Sequence, residues 1–193
     1  MKTVIVINSK GGVGKSLVSQ NLVASLIDSE RKGKKVPYNL YDMDMQGGLQ
    51  FEPCEQEGAV VSIVDGRAGL YMEMSDDVKA ADLIVIPTRP TLSDIPATEN
   101  MIKIVKENNI NNVPVIYVIN GMNRFRATQE YMEYFMGEHA NDLVFGLPQS
   151  EAFIQAALAG VTLQEYNSKC PAALAMKKLT DAVWALLDID VAS

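Results

Sequence analysis

Cysteine and histidine are scarce in this chain. Its 193 residues include two cysteines, Cys54 and Cys170, and one histidine, His139. Two distant cysteines cannot build a disulfide framework, and neither belongs to a C-x-x-C pair that would hold a metal. Both read as inert small residues. A lone histidine leaves no material for a histidine metal cluster or a His-based triad, and it is expected at the surface, at a helix end. Long apolar runs are also missing. Nothing approaches the roughly 20 residues of a membrane-spanning helix. The opening Met1-Lys2-Thr3-Val4-Ile5-Val6-Ile7-Asn8 is too short in its apolar part for a secretory signal. A reducing cytosol is therefore the expected compartment. Positive charge is in deficit: 17 Lys and Arg stand against 24 Asp and Glu, a net charge of −7. That excludes a globally basic nucleic-acid wrapper, though not a local basic patch.

No internal repeat, low-complexity tract or long linker interrupts the chain, and residues 1–193 read as one domain. Short apolar segments alternate with longer amphipathic ones, the pattern of an α/β fold with a mainly parallel sheet. Strands are expected at Thr3–Asn8, Tyr38–Asp42, Ala59–Asp65, Leu83–Pro87, Val113–Asn120 and Leu143–Leu147. They are rich in Val, Ile and Leu with little alternation, as strands buried on both faces should be. Helices are expected at Lys15–Asp28 with Val18, Leu22 and Leu26 inward, and at Ser93–Asn108 with Ile95, Ile102 and Val105 inward. A third covers Ala127–Glu138, where Met132 and Met136 pack at i, i+4. The last starts near Pro171 and carries Leu179, Val183 and Leu186 to the core. The Gly-rich, acidic stretch Met45–Gly58 reads as a loop with one turn of helix at most.

Chemistry concentrates after the first strand. Lys10-Gly11-Gly12-Val13-Gly14-Lys15-Ser16 follows Thr3–Asn8 and opens an amphipathic helix. The strict G-x-x-x-x-G-K-S/T spacing is not met, because Asn8 and Ser9 stand where the leading glycine would fall. The physics is met. Glycines let backbone N–H groups curl around phosphate oxygens, and a helix N-terminus favours negative charge. Lys15 would reach the β- and γ-phosphates and Ser16 would ligate Mg²⁺. The competing reading is a Gly-rich turn with two exposed lysines. Strand context, three glycines and the Lys-Ser pair together weigh against it.

These residues resemble the deviant Walker A box of the ParA/MinD family of dimerising ATPases. The resemblance implies a P-loop NTPase three-layer sandwich, a twisted sheet flanked by helices, binding ATP and Mg²⁺. It assigns Gly11, Gly12, Val13, Gly14, Lys15, Ser16 and Leu17 to the nucleotide, and sends Lys10 across a dimer to the phosphates held by the other subunit. Face-to-face triphosphates carry charge that cations from both subunits must offset. Tyr41-Asp42-Met43-Asp44-Met45-Gln46-Gly47 is similar to the family's D-x-D-P-Q-G segment. It implies that Asp44 positions the attacking water, with Asp42 near Lys15 and the metal. Val60-Val61-Ser62-Ile63-Val64-Asp65-Gly66 resembles a Walker B strand, with Asp65 holding Mg²⁺ through water. Ser16, Asp42 and Asp65 are then the expected metal set, and Lys10, Lys15 and Asp44 the catalytic one.

The resemblance continues through Ala81-Asp82-Leu83-Ile84-Val85-Ile86-Pro87, through Ala156–Tyr166, read as a turn, and through Pro171–Trp184. Length and Val64-Asp65-Gly66 bring the chain nearest to small plasmid-partition ATPases of the ParF type, which lack an N-terminal DNA-binding domain. Three departures stand out. Met45 replaces the usual proline, Leu17 replaces the usual threonine, and only 23 positions carry the chain from Asp42 to Asp65. An element of that interval is expected to be shortened. The turn Arg31-Lys32-Gly33-Lys34-Lys35-Val36-Pro37 is longer and more basic than usual.

Asn120, closing a strand, is a candidate for the nucleotide base or simply a turn residue. Pro148 flanks the adenine by resemblance, or is an ordinary loop proline. Arg124, Arg126, Lys169, Lys177 and Lys178 are the expected nonspecific DNA contacts, against the alternative of a solvated face. Lys103 and Lys106 are weaker candidates, with Glu99 placed to pair with Lys103.

The leading expectation is a cytoplasmic Mg-ATP-dependent ATPase, nucleoid-associated when ATP-bound. It would dimerise with ATP, bind DNA without sequence preference, and answer to a centromere-binding or adaptor protein. No membrane is expected, because the tail Ala185–Ser193 is acidic and anionic lipid would repel it. The alternatives are a positioning ATPase for protein cargo and a P-loop metabolic kinase or synthetase. Unpaired cysteines argue against the iron–sulfur reductases that share this loop.

Overall fold

Alternate residues of the central strands serve two apolar cores. The computed structural model describes residues 1–44, 49–67 and 71–192. Val4 and Val6 of β1 (Lys2–Val6) join one cluster, while Ile5 and the following Ile7 join the other. The same division holds in β4 (Leu83–Thr88), where Leu83 and Val85 face one way and Ile84 and Ile86 the other. It holds again in β5 (Val115–Met122) with Ile116 and Val118 against Tyr117 and Ile119. A strand apolar on both faces must be covered on both faces, which dictates three layers.

The first cluster is closed by α1 (Lys15–Arg31), α5 (Ala152–Ala159), α6 (Leu163–Asn167) and α7 (Pro171–Leu186). The second is closed by α2 (Tyr71–Ala80), α3 (Ile95–Asn108) and α4 (Arg126–Glu138). With β2 (Tyr38–Asp42), β3 (Val61–Asp65) and β6 (Leu143–Pro148), the sheet runs β2-β3-β1-β4-β5-β6, and every neighbouring pair is parallel. The chain passes outward from β1 to β2, returns to β3, and then crosses to β4. That reversal opens a crevice at the carboxyl ends of β1 and β3.

The expected strands are all present, with the fifth displaced two residues toward its carboxyl end. Three helices go beyond the sequence expectation. In α2 Val78 is buried amid polar neighbours, too little apolar pattern to signal a helix. The α5 segment, Ala-Phe-Ile-Gln-Ala-Ala-Leu-Ala, has no charged residue and so no polar face to set a period. The stretch read as a turn contains α6, which starts at a capping box: Thr162 accepts from the Glu165 N–H and Glu165 accepts from the Thr162 N–H. Part of Met45–Gly58 lies outside the described residues. The remainder is not helical: Cys54 bridges to Leu40 through N–H···O bonds of 2.8 and 3.0 Å. That bridge covers the open edge of β2, where unpaired backbone would otherwise invite another strand.

Several side chains sit elsewhere than expected. In α7 the stripe is Met176, Leu179, Val183, Trp184 and then Leu187, whereas Leu186 is 37% exposed. Position 186 is three beyond Val183 but falls beside, not on, the stripe that Trp184 and Leu187 continue. In α4 Phe135 takes the core position and Met136 points outward. His139 does cap a helix end, yet its side chain is covered by Phe135 and Tyr117 and bonds Asp142 at 2.9 Å. Lys103 pairs forward with Glu107 at 3.9 Å, one turn on from the expected Glu99 side. The basic turn after α1 is used internally, with Arg31 on Glu165, Lys34 on Asp190 and Lys35 on Glu30.

Candidate functional site

The loop between β1 and α1 turns at Gly14, whose φ of +109° places it in the left-handed region. A Cβ there would stand 2.4 Å from Asn120 Nδ2, so the position requires glycine twice over. Gly14 caps α1 without a side-chain hydrogen bond, and no acidic residue occupies the first turn. The free N–H groups of that helix end, with their positive dipole, point into the crevice. Gly11 and Gly12 are exposed, while Val13 is fully buried and anchors the loop. Asn120 reaches in from β5 and donates to the Val13 carbonyl at 3.1 Å. Asn120 therefore braces the loop.

Lys15 is buried, and its Nζ donates to the Lys10 carbonyl at 3.3 Å. Burial pulls its pKa below the usual lysine range, and the charges of Asp65 and Asp44 partly offset that. The Lys10 carbonyl takes one of the three donors of the ammonium, and a buried cation favours an anion beside it. The carboxylates whose charges act on Lys15 are Asp65 and Asp44. Asp42 acts on Asp65, because the two end neighbouring parallel strands in register. Asp42 Oδ1 also accepts the Asp44 N–H at 2.9 Å, turning the chain so that Asp44 follows at the crevice rim.

Asp65 is 1% exposed. Burial raises its pKa most strongly; the nearby Ser16 and Ser19 hydroxyls and Lys15 work against that, and Asp42 adds to it. Ser19 donates to Oδ1 at 2.8 Å. Oδ2 is buried without a hydrogen-bond partner, since Ser16 lies near the carboxylate but outside bonding geometry. An orphaned buried oxygen costs about 1–3 kcal/mol, and a cation or its bound water would remove that cost. Among the described residues no three acidic, histidine or cysteine side chains converge as a complete metal cage. Mg²⁺ needs none, because it is held by one or two carboxylates with substrate phosphates and water. Gly66 follows Asp65 where a Cβ would meet the Val6 carbonyl at 2.6 Å, keeping β3 tight against β1.

The remaining expected residues lie around this centre. Leu17 is half-buried in the first turn of α1, where its carbonyl accepts from Asn21 Nδ2 at 2.8 Å. Pro148 ends β6 and lines a cleft of about 500 Å³ with Met122, Arg124, Gln149 and Pro171. Lys10 is half-buried, and its charge acts on Asp94. Of the DNA candidates, Arg124, Lys169 and Lys178 are exposed. Arg126 is bound to Glu130 at 2.6 Å and Lys177 to Asp181 at 2.8 Å, so two of the five already have carboxylates.

Sequence reading passed over Asn8, Ser19 and the Arg89–Asp94 pair. Ser19 was findable, since it sits one helical turn beyond Lys15 and faces the same way. Asp94 is fully buried beside the start of α3, bonded by Arg89 Nε at 2.8 Å. Burial opposes its charge, but the bonds from Arg89 and Thr91 and the charges of Arg89 and Lys10 hold its carboxyl below the ordinary range.

Solved structures share this architecture. McdA from Cyanothece, in its apo form, superposes with a TM-score of 0.74 at 14% identity, covering 97% of this chain and 99% of that one. MinD from Pyrococcus horikoshii complexed with Mg-ADP gives 0.68 at 15%, covering 96% and 97%. A ParA family ATPase from Chlorobium tepidum gives 0.69 at 16%, covering 96% and 98%. No curated protein matches significantly in sequence. The family described as the CobQ/CobB/MinD/ParA nucleotide binding domain matches residues 4–163. With that match spanning most of the chain and the phosphate-loop sandwich built as described, the protein belongs to the CobQ/CobB/MinD/ParA nucleotide-binding family.

Proposed function

We propose that the protein is an Mg-ATP-dependent ATPase that dimerises around ATP and positions a DNA cargo, such as a plasmid, by nucleotide-gated nonspecific DNA binding. One observation carries the reading. Lys15 is buried with its Nζ on the Lys10 carbonyl and the charges of Asp65 and Asp44 acting on it, while a second lysine of the same loop, Lys10, is half-buried and has its charge near Asp94. One lysine serves the subunit's own phosphates, and the other remains for phosphates on the opposite subunit.

In this reading the N–H groups of Gly11–Ser16 wrap the phosphates and Lys15 balances their charge. Ser16, Asp65 and Asp42 would hold Mg²⁺, with Asp65 acting through water. The ion supplies charge neutralisation on the β- and γ-phosphates. Asp44 at the rim orients the attacking water, so that attack is in line with the leaving oxygen. Asn120 and Pro148 flank the base, with Asn120 also fixing the loop. Arg124, Arg126, Lys169, Lys177 and Lys178 contribute the DNA face, and a centromere-binding or adaptor protein stimulates hydrolysis.

A second reading is a positioning ATPase whose cargo is a protein. The carboxylate pairing of Arg126 and Lys177 favours it, because each pair must be broken before a phosphate is bound. Size measurement with ADP, ATP and a slowly hydrolysed analogue, with and without DNA, tests both. A dimer formed only with triphosphate and retained on DNA supports the first reading. A triphosphate dimer that ignores DNA at low salt selects the second. A monomer throughout returns the chain to the kinase or synthetase class.

A further inference from the structure

Asn8 lies two residues beyond β1 and is completely buried. Its amide has three partners. Oδ1 accepts the Lys10 backbone N–H at 3.0 Å, and Nδ2 donates to the Pro87 carbonyl at 2.8 Å and to Thr98 Oγ1 at 3.4 Å. Both amide hydrogens and the oxygen are used, so the orientation of the group is fixed. Each partner belongs to a different element: the phosphate loop, the end of β4 and the first turn of α3. A second tie lies alongside, where Ser9 Oγ donates to the Ala97 carbonyl at 3.4 Å.

The seat on the α3 side is itself rigid. Thr98 Oγ1 donates back to the Asp94 carbonyl at 2.9 Å and shares a 2.6 Å bond with Thr88 Oγ1. Thr88, Asp94 and Thr98 are 0%, 0% and 1% exposed. Asp94 is held by Arg89, and its charge attracts Lys10. A fully satisfied buried network of this kind holds one geometry, because every alternative leaves a polar group unpaired. None of the Asn8 bonds is made to Lys15, Ser16 or Asp65; the network meets Lys15 only through the Lys10 carbonyl, which accepts from Lys15 Nζ at 3.3 Å.

We infer that Asn8 is a positioning residue for Lys10: by fastening the Lys10 backbone to the β4–α3 corner, it sets the direction in which the Lys10 side chain leaves the loop. The inference rests on the reading that Lys10 serves phosphates of the opposite subunit. An ammonium on a four-carbon stem has many rotamers. A fixed backbone N–H and the Asp94 charge narrow the directions it takes before the subunits meet, and pre-organisation of this kind raises affinity without a new contact. Asn8 is thus assigned to the dimer step rather than to nucleotide capture.

The test compares wild type, Asn8→Ala and Thr98→Val by three readouts: ADP affinity of the monomer, the ATP-dependent dimer dissociation constant, and hydrogen exchange of the Lys10 amide. Asn8→Ala should keep ADP affinity within about twofold while weakening the ATP dimer by about tenfold or more, the scale of one lost buried hydrogen bond. The Lys10 amide should exchange at least about tenfold faster in the monomer, since its acceptor is gone. Thr98→Val, nearly isosteric, should shift the same two readouts less and in the same direction, and it serves if Asn8→Ala does not fold. An unchanged dimer constant overturns the inference. So does a parallel loss of ADP affinity and dimerisation, which marks a merely structural role. If wild type itself fails to dimerise with ATP, the sandwich reading fails, and the exchange readout judges Asn8 separately: unchanged Lys10 exchange in Asn8→Ala overturns the hold, and faster exchange supports it.

Discussion

Asn120 and Gly14 interlock. The Asn120 Nδ2 that bonds the Val13 carbonyl at 3.1 Å occupies the space a Gly14 side chain would need, 2.4 Å from where its Cβ would stand. A strand end thus holds the phosphate loop open from behind, leaving the helix N-terminus toward the crevice. Gly14→Ala should cost about 1–2 kcal/mol from the left-handed backbone alone, and more from the collision. Adding Asn120→Ala should recover the collision and leave the backbone cost. Denaturant midpoints of the two single variants and the double variant check this. Equal stability of Gly14→Ala and wild type would refute the interlock.

Asp44 stands at the crevice rim, turned there by its N–H bond to Asp42. Asp44→Ala should bind ATP and dimerise yet hydrolyse roughly 10²-fold or more slowly, the scale of losing a positioned proton acceptor. The variant should accumulate as an ATP dimer in a size assay. Even wild type should turn over slowly without a stimulating protein. Unstimulated turnover of about 1–100 s⁻¹, the range of kinases, would favour the metabolic class.

Asp94 gives the fold an acid-sensitive element. Its folded pKa lies below the ordinary 3.8, despite burial, because Arg89 bonds it. A depressed carboxyl stabilises the fold fully above 3.8 and loses that contribution as pH falls from there through the folded value. Asp94→Asn should therefore flatten the acid limb of a stability-against-pH curve in that window. At neutral pH it should cost less than the about 3–5 kcal/mol of breaking a fully buried pair, because Arg89 is 40% exposed. An unaltered acid limb would show that Asp94 does not carry this dependence.

The proposed DNA face rests on side chains whose pairing differs from one residue to the next. Lys177 is engaged by both oxygens of Asp181, at 2.8 and 2.9 Å, while Lys178 is exposed. Each lost phosphate contact lowers the salt slope of binding by about 0.9 on B-DNA. Lys178→Ala should account for most of the change seen in a Lys177/Lys178 double alanine variant, with ATP dimerisation intact. Binding that is unchanged in the double variant would mark this helix as a solvated face.

Much of the crevice was legible because its residue types are constrained at single positions. Glycines, Lys15, Ser16, Asp42 and Asp65 each answer a local requirement, and the strands that carry them are apolar on both faces. Other features depend on neighbours that linear order does not show. The acceptor of Asn8 is two residues away, but its donor bonds go to Pro87 and Thr98. The forward pairing of Lys103 with Glu107, and the choice of Leu187 over Leu186, follow from helix rotation against the sheet. In α5 the lack of any charge erased the period that marks a helix. The capping box of Thr162 and Glu165 is the exception, a local signal present in the sequence and passed over.

The central claim is a division of labour between two lysines of one loop. Sedimentation or light scattering of Lys10→Ala and Lys15→Ala with saturating Mg-ATP, beside monomer nucleotide affinities, tests it most directly. Lys15→Ala should lose nucleotide binding, because its buried ammonium balances phosphates of its own subunit. Lys10→Ala should bind ADP and ATP nearly as wild type does and remain monomeric, while wild type dimerises with ATP and not with ADP. A Lys10→Ala protein that dimerises with ATP as readily as wild type would contradict the account.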